Sequence, residues 1–521
     1  MNAIDAVLVV GAGPVGLTAA CQLARQGVPV RVVDTLAEPT TESRAVSIHA
    51  RSMEMLAALG VAPRLEALGR RIPALEMIDG RTGEVRTRLD VTDIPSRYPF
   101  ILDIPQPDTE AVLAERATEL GVVVERGVTL TGLAQDADGV EVTLHSATGE
   151  ETARVGWVVG ADGGHSTTRT LAGTKLEGGF HGQHFAMADV DVDTTWAPDA
   201  IRMFTHPEGM GILFPLVGAR ARIMFMVEQP AAGTEPTLAQ VQALADTRMN
   251  GTVTVRDPRW LTYFEVHHAQ VPAYRFGRVL LAGDAAHIHS PAAAQGMNTG
   301  IQDAANLAWK LALVARHRAA PDLLDTYHEE RHPVGAMVVR STTVLTDVGT
   351  ASGPKAAVRD LALFLAGHLP RMAAAGAARL AETTIAYPDS TLSVRARSVR
   401  ALSDRHGRAH GVAAGTHAPD PDGLLDDVLA GPGLVLLVHG ADAGAVDELR
   451  LVLGDLGTVV PVDATTDPAG ALGRAYGWEG EGLALVRPDG YLGLVADSVD
   501  PTVLRDYLTD ALHVTAAAPR P

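Results

Sequence analysis

The chain has 521 residues, 46% hydrophobic and 20% charged, which is ordinary globular composition with length for about three domains of ~150 residues. Its net charge of −19 argues against nucleic acid as a main partner, and no uninterrupted apolar span of about 18 residues supplies a membrane helix. The single cysteine, Cys21, rules out an intramolecular disulfide, fits a reducing, cytoplasmic setting, and reads as a small apolar side chain on a helix.

Ala6 to Val10 is a short apolar run, as expected of a strand buried on both faces. The apolar stretch Val7 to Leu23 mimics a signal peptide but lacks a basic flank. A helix is predicted over Leu17 to Gln26, closed by Gly27, and a second strand over Val28 to Val33, ending in Asp34. Helices follow at Arg44 to Leu59 and Thr109 to Leu120. Strands are expected at Val122 to Glu125, Val140 to Leu144 and Trp157 to Gly160. From about Leu176 to Tyr274 short alternating runs (His184 to Val192, Ile212 to Leu216, Arg222 to Val227, Tyr263 to His268) predict a mostly antiparallel sheet, with a helical insertion at Thr237 to Arg248. Val279 to Asp284 resumes the first domain. Ile301 to His317 is a long amphipathic helix, and Asp322 to Arg331 is another, expected to stop at Pro333. An alanine-rich helical stretch runs to about Ala386. An irregular, proline-bearing stretch from Tyr387 to Pro421 then marks a boundary. Beyond it come strand (Gly433 to His439), helix (Val446 to Leu453), strand (Val459 to Val462), helix (Leu472 to Tyr476), hairpin (Leu483 to Val495) and terminal helix (Pro501 to Leu512), the order of a thioredoxin-like unit. The expected fold class is α/β. A Rossmann-like nucleotide-binding domain (1–175 and 275–395) is interrupted by an antiparallel-sheet substrate domain (176–274) and followed by a thioredoxin-like domain (396–521). The last has no Cys-x-x-Cys, so thiol–disulfide exchange is excluded there and packing, stability or association remains.

Three separated motifs describe one nucleotide site. In Gly11-Ala12-Gly13-Pro14-Val15-Gly16, the first glycine permits the tight turn and Gly13 lets backbone approach a pyrophosphate. Gly16 lets helix and strand pack closely. Asp34 ends the next strand, close to the expected spacing of about 20 residues for an acid on ribose hydroxyls. Asp162, in Gly160-Ala161-Asp162-Gly163, can accept from ribose or from nearby backbone, or can simply cap the following helix. Asp284 ends the strand before it and should reach a ribityl hydroxyl. Gly296-Met297-Asn298 opens the long helix with N–H groups suited to an electron-rich isoalloxazine edge.

With these motifs, the segments Ser43-Arg44-Ala45, His49 to Ser52, Pro105-Gln106 and Gly283 to Leu311 resemble the FAD-dependent aromatic hydroxylases, the single-component flavoprotein monooxygenases of the para-hydroxybenzoate hydroxylase type. The likeness covers nearly the whole chain. It is greatest to the polyketide hydroxylases and the rifampicin monooxygenases, which carry a C-terminal thioredoxin-like extension. It implies FAD, O₂ and NADPH or NADH as a transient reductant without a domain of its own. It also implies a swinging flavin and contacts to FAD from Arg44 and Gln106. Ala293 and Ala294 stand where the family usually has two glycines, and Ala294 is counted with Gly296, Met297 and Asn298 among the cofactor residues. The implied reaction is hydroxylation of an aromatic small molecule through a flavin C4a-hydroperoxide, which calls for no catalytic nucleophile. Baeyer–Villiger oxygenation, oxidative ring opening, and a flavin-containing binding protein without catalysis are the alternatives. No Trp-x-Trp-x-Ile-Pro segment supports a halogenase.

Substrate contacts are expected from Phe204, Met210, Leu213, Phe214, Phe225 and Met226 of the middle sheet, half of them turned away by strand alternation, and from Pro291 at the reacting face. Few aromatic residues (4%) hint at a roomy pocket for a multi-ring compound. His328-Glu329-Glu330-Arg331-His332 matches a zinc-protease pattern, but no third ligand is evident and no metal is expected. His287 is expected to pack beneath the flavin loop. A monomer or homodimer is expected.

Overall fold

The computed structural model describes residues 6–43, 45–288, 295–350, 370–396, 412–421 and 423–515. Among these, strands form five sheets. The first is the predicted nucleotide sheet. Its central strand Val7–Val10 lies between Val30–Asp34 and Trp157–Gly160, all parallel, and Val279–Leu281 extends it parallel to Trp157–Gly160. Every residue of the central strand is buried, which accounts for its unbroken apolar run. The helix Pro14–Arg25 begins three residues earlier than predicted, because Pro14 is suited to a first helical turn that needs no N–H from it. Cys21 is fully buried on this helix, its Sγ 3.6 Å from the Leu113 carbonyl oxygen; burial pushes the thiol up to about 12, so it behaves as an apolar group.

The second large sheet has eight strands in the order 287–288, 253–270, 177–194, 220–227, 211–215, 200–205, 74–79, 85–90. Two of these, Ala74–Asp79 and Val85–Asp90, come from well before the 176–274 stretch. The first pairs parallel with Ala200–Thr205. The two faces bury different sets. The inserted helix Leu238–Arg248, opened by a capping box between Thr237 and Gln240, covers one face and packs Val241 and Ala245 against Phe204, Leu213 and Phe225. The other face carries five buried methionines (Met77, Met187, Met203, Met210 and Met224) with Phe185 and Phe214, and Met226 packs against them. The helix Pro370–Leu380 closes part of this face through Ala377.

Two predicted elements differ. Arg44 to Leu59 is not one helix: Ser47–Ile48 is a strand paired antiparallel with Leu102–Asp103, and the helix is only Ala50–Ala57. A long-range strand partner overrides local helical preference here. Pro333 does not stop its helix, which spans Asp325–Thr350. Arg331 and Val334, on either side of the proline, are both buried, and this packing outweighs one missing helical hydrogen bond.

The C-terminal sheet runs in the order 394–396, 492–496, 482–486, 434–439, 457–462. Leu434–His439 pairs parallel with Gly457–Val462 and antiparallel with Gly482–Val486. The turn between Val486 and Leu492 packs against the helices Ala50–Ala57, Gly296–Ala315 and Asp325–Thr350, where Arg487 and Asp489 are buried. Among the described residues no helix is long and apolar enough to cross a membrane.

Candidate active site

A cavity of about 290 Å³ opens where the nucleotide sheet meets the methionine-rich face of the second sheet. Gly13, Pro14 and Val15 line it from the first helix, Ala161, Gly163 and Gly164 from the turn after Trp157–Gly160, and Asp284, Gly296 and Met297 from the third motif. Three stretches far apart in sequence therefore meet at one place. Two helices start there, Pro14–Arg25 and Gly296–Ala315, and neither start is capped by a side chain. Uncapped first-turn N–H groups and the positive ends of two helix dipoles thus converge on the cavity, as a diphosphate and an electron-rich ring edge require.

The glycines show why this loop tolerates little else. Gly11 has φ +102°, and a Cβ there would lie 2.4 Å from the Ala161 carbonyl oxygen. A Cβ on Gly16 would lie 1.9 Å from the Gly11 carbonyl oxygen. Gly13 is different: its backbone is extended, and a Cβ would meet no protein atom within 4 Å. The space beside Gly13 belongs to the cavity, so the cradle fits a bound pyrophosphate.

The other predicted cofactor residues divide. Gln106 lines the cavity, accepts from the Ala45 N–H at 3.0 Å and donates to Glu110 at 2.8 Å. Asp284 lines it with an exposed side chain. Asp34 sits at the end of its strand, its carboxylate accepting from the N–H groups of Ala12 at 2.6 Å and Leu36 at 2.8 Å, and each oxygen keeps capacity for a further donor. Asp162 points away from the cavity lining: it accepts from Ser166 at 2.5 Å and from the Thr168 N–H at 2.9 Å, so it braces the turn before the short helix Thr167–Leu171. The backbone around it, rather than its carboxylate, faces the cavity. Asn298 is fully buried and joins the start of its helix to the Ser47–Ile48 strand, accepting from the His49 N–H at 2.8 Å and donating to the Ser47 carbonyl at 2.9 Å. Arg44, Pro291 and Ala294 lie outside the described residues.

Of the predicted substrate contacts, Phe214 lines the cavity, and Met210 and Met226 lie on the same face. Phe204, Leu213 and Phe225 do not reach it, because strand alternation turns them to the face covered by the Leu238–Arg248 helix. This gives a paired expectation. Phe225→Ala should lower stability by about 3–5 kcal/mol through cavity formation with KM unchanged. Phe214→Ala should alter KM for an aromatic substrate while costing less stability. Thermal melts and steady-state kinetics on both variants check the assignment.

Sequence reasoning missed Arg222. It lines the cavity, is 1% exposed, and holds Asp189 through a fork of 2.9 and 3.0 Å, while Nη1 has no protein partner. Asp103 was missed as well. It is fully buried beside Ser47, whose hydroxyl donates to it at 2.6 Å, and burial pushes its carboxyl well above the usual range, with Arg222 and Arg70 opposing. Alternation along strand 220–227 predicts which residues share a face, but no local signal pairs Arg222 with an aspartate 33 positions away.

His287 is fully buried behind the cavity, its Nε2 2.7 Å from Asp303. His328 and His332 lie on one helix face with ring centroids 4.6 Å apart, packed on Tyr274. Among the described residues no group of three or more metal-ligating side chains gathers.

Glu382 makes stability pH-dependent at the Gly296–Ala315 helix. It is buried at φ +61° and accepts from Gln302 on the Gly296–Ala315 helix, and burial pushes its carboxyl up to about 8. Its folded pKa exceeds the unfolded value, so its stabilising effect is complete below about 4.5 and lost as pH rises towards 8. Glu382 therefore pulls the melting temperature down as pH rises from 5 to 8, opposed below about 6.5 by the buried His417, whose pKa is pushed down to about 4, and Glu382→Gln should remove the downward contribution and turn the slope upward relative to wild type. An unchanged slope in the variant would count against the burial argument.

Residues 5–342 match the family described as FAD binding domain, and the chain belongs to that family. It is an FAD-dependent aromatic monooxygenase of the para-hydroxybenzoate hydroxylase type. It is 36% identical to the 6-methylpretetramide 4-monooxygenase of Streptomyces rimosus over 98% of this chain and 93% of that one. The solved structure of the anhydrotetracycline hydroxylase OxyS from Streptomyces rimosus superposes with a TM-score of 0.77 at 30% identity, covering 98% of this chain and 99% of the other. A ternary complex of aklavinone-11 hydroxylase with FAD and aklavinone matches with a TM-score of 0.77 at 26% identity over 97% and 98% of the two chains.

Proposed function

We propose that this enzyme hydroxylates a multi-ring phenolic compound of polyketide type, held between the cofactor cradle and the methionine-rich face. The observation that carries this reading is the cavity itself, in which the three nucleotide motifs meet Phe214, Met224 and Arg222 of the second sheet. The aromatic polyketides named for similar proteins support the substrate class. So does the methionine face, since unbranched thioethers repack readily around large apolar ligands.

The residues that would hold FAD are Gly11, Gly13 and the N–H groups after Pro14 for the pyrophosphate, Asp34 for the adenosine ribose, Asp284 for the ribityl chain, and Gly296 and Met297 for the pyrimidine edge of the ring. Gln106 and Arg44 flank the cofactor. Bound there, FAD supplies the redox and oxygen-activating chemistry, with electrons from NADPH or NADH. The protein's own contribution is placement and dryness. Phe214 and the methionines exclude water, and Arg222 presents a fixed positive charge to whatever anion lies in the cavity. The proposed division is 1–175 with 275–395 for FAD, 176–274 for substrate with strands 74–79 and 85–90 added to its sheet, and 396–521 for a thioredoxin-like unit. Its mixed sheet order supports that last likeness.

The test is a screen of phenols and polyketides for stimulated NADPH oxidation, with product mass measured. A gain of one oxygen with intact rings is the expected result. Ring opening or ester formation would point to Baeyer–Villiger chemistry, and no stimulation by any compound would sink the hydroxylase reading.

A further inference from the structure

We propose that the turn Arg487–Tyr491 of the C-terminal unit is a clamp for the flavin site, with Arg487 and Asp489 acting as positioning residues for the Gly296–Ala315 helix, which starts in the cavity lining, and for the Ala50–Ala57 helix, which follows the lining residues Ala45 and Val46. This rests on the reading that the cavity takes FAD.

The Gly296–Ala315 helix has its first residues in the cavity lining and a polar stripe further along. Asp303, Asn306 and Lys310, spaced three and four apart on one face, are all buried. Such a stripe is unfavourable unless every member is paired. Asp303 accepts from Arg331 at 2.7 Å, and Arg331 also donates to the Thr299 carbonyl at 3.0 Å, next to the cavity end of the helix. Asn306 donates to Glu330 at 2.6 Å and to Asp489 at 3.1 Å, and Lys310 donates to Glu330 at 2.8 Å. Arg487 completes the set, forking onto Glu330 at 2.6 and 2.9 Å and onto Asp489. Glu330, Asp489, Arg487 and Lys310 are buried and their formal charges cancel.

The same turn grips the second helix. The Asp489 backbone carbonyl accepts from Arg51 at 2.6 Å, and the Arg51 guanidinium stacks 4.5 Å from the Tyr491 ring. Arg51 lies in the Ala50–Ala57 helix, a few residues after Ala45 and Val46 of the cavity lining. A single buried turn from the C-terminal unit therefore holds the helix that starts in the cavity and the helix that follows its Ala45–Val46 lining, through charged contacts that tolerate little displacement. Without it the helix start would keep its sequence but lose its position against the cradle.

The experiment compares three variants of the full chain. Asp489→Asn and Arg487→Met loosen the clamp, and Leu437→Ala destabilises the C-terminal core, where Leu437 is buried away from the turn. FAD affinity of each apoprotein is measured by flavin fluorescence, and hydrogen exchange of amides 296–303 is followed without FAD. Both clamp variants should bind FAD at least tenfold more weakly and exchange faster at 296–303. Leu437→Ala, compared at equal loss of melting temperature, should stay within twofold of wild type. Arg487→Lys should restore part of the affinity. If Arg487→Met does not fold, Asp489→Asn decides. Wild-type affinity in the clamp variants, or equal weakening in Leu437→Ala, overturns the clamp. A Gly13→Val protein that still binds FAD normally would instead overturn the cavity reading.

Discussion

Gly13→Val should give a folded, colourless protein. The Gly13 backbone sits at φ −79°, ψ −177°, a conformation valine adopts without strain, and a Cβ there touches no protein atom within 4 Å. The apoprotein should melt close to wild type. The added methyls enter the cavity at the uncapped helix start, where a diphosphate must approach the backbone closely. FAD affinity should fall at least about 100-fold, roughly 2.7 kcal/mol. Gly11→Val makes the contrast: with φ +102° and the Ala161 carbonyl 2.4 Å from the new Cβ, it should damage folding itself. Fluorescence titration with FAD and apoprotein melting separate the two. Unchanged FAD affinity in Gly13→Val would remove the pyrophosphate from this loop.

The second large effect is expected at Arg222. Its buried guanidinium is the only one lining the cavity among the described residues, and one of its nitrogens has no protein partner. Replacing it by glutamine should lower kcat/KM for substrate-stimulated NADPH oxidation by about 100-fold or more, because a fixed charge in a dry site acts strongly on developing anions. Arg222→Gln alone leaves Asp189, which is 1% exposed, with only the longer Arg220 contact at 3.3 Å, and should cost about 1–3 kcal/mol. The double variant Arg222→Gln/Asp189→Asn avoids a stranded charge, so it should melt near wild type yet remain slow. Activity within threefold of wild type in that folded double variant would show that the charge has no part in turnover.

How much of this was legible beforehand follows from the range of each interaction. The strand–loop–helix start was readable because its causes are local, an apolar run and placed glycines, although the helix was expected from Leu17 and begins at Pro14, whose suitability for a first turn was not used. The Leu238–Arg248 insertion was readable for the same reason, since Thr237 and Gln240 form a box within one turn. Alternation showed that half of the candidate aromatic and methionine positions would face away, but which half depends on what covers each face. The helix 238–248 claimed Phe204, Leu213 and Phe225, leaving Phe214 to the cavity. Asp162 had two readings, ribose contact or cap, and Ser166 and Thr168 claim its carboxylate. Gln106 carries no intrinsic mark of a cofactor contact and was reached only through family resemblance. The Arg222–Asp189 fork, the Asn298 staple and the Glu330–Arg487 pair join residues distant in sequence, and a single sequence holds no signal for them.

The strand order of the first sheet also bears on biosynthesis. Its N-terminal strand pairs with Trp157–Gly160, which in turn needs Val279–Leu281, and the cavity closes only with Gly296 and Met297. At elongation rates of roughly 5–20 residues per second, the first glycine loop waits on the order of 15–60 s for its partners to leave the ribosome. Over the first part of that interval Val7–Val10 is paired on one side, by Val30–Asp34, and its other edge waits for Trp157–Gly160. The complete cradle therefore exists only once more than half of the chain has been made, so loading of the cofactor belongs to the last part of synthesis or follows it.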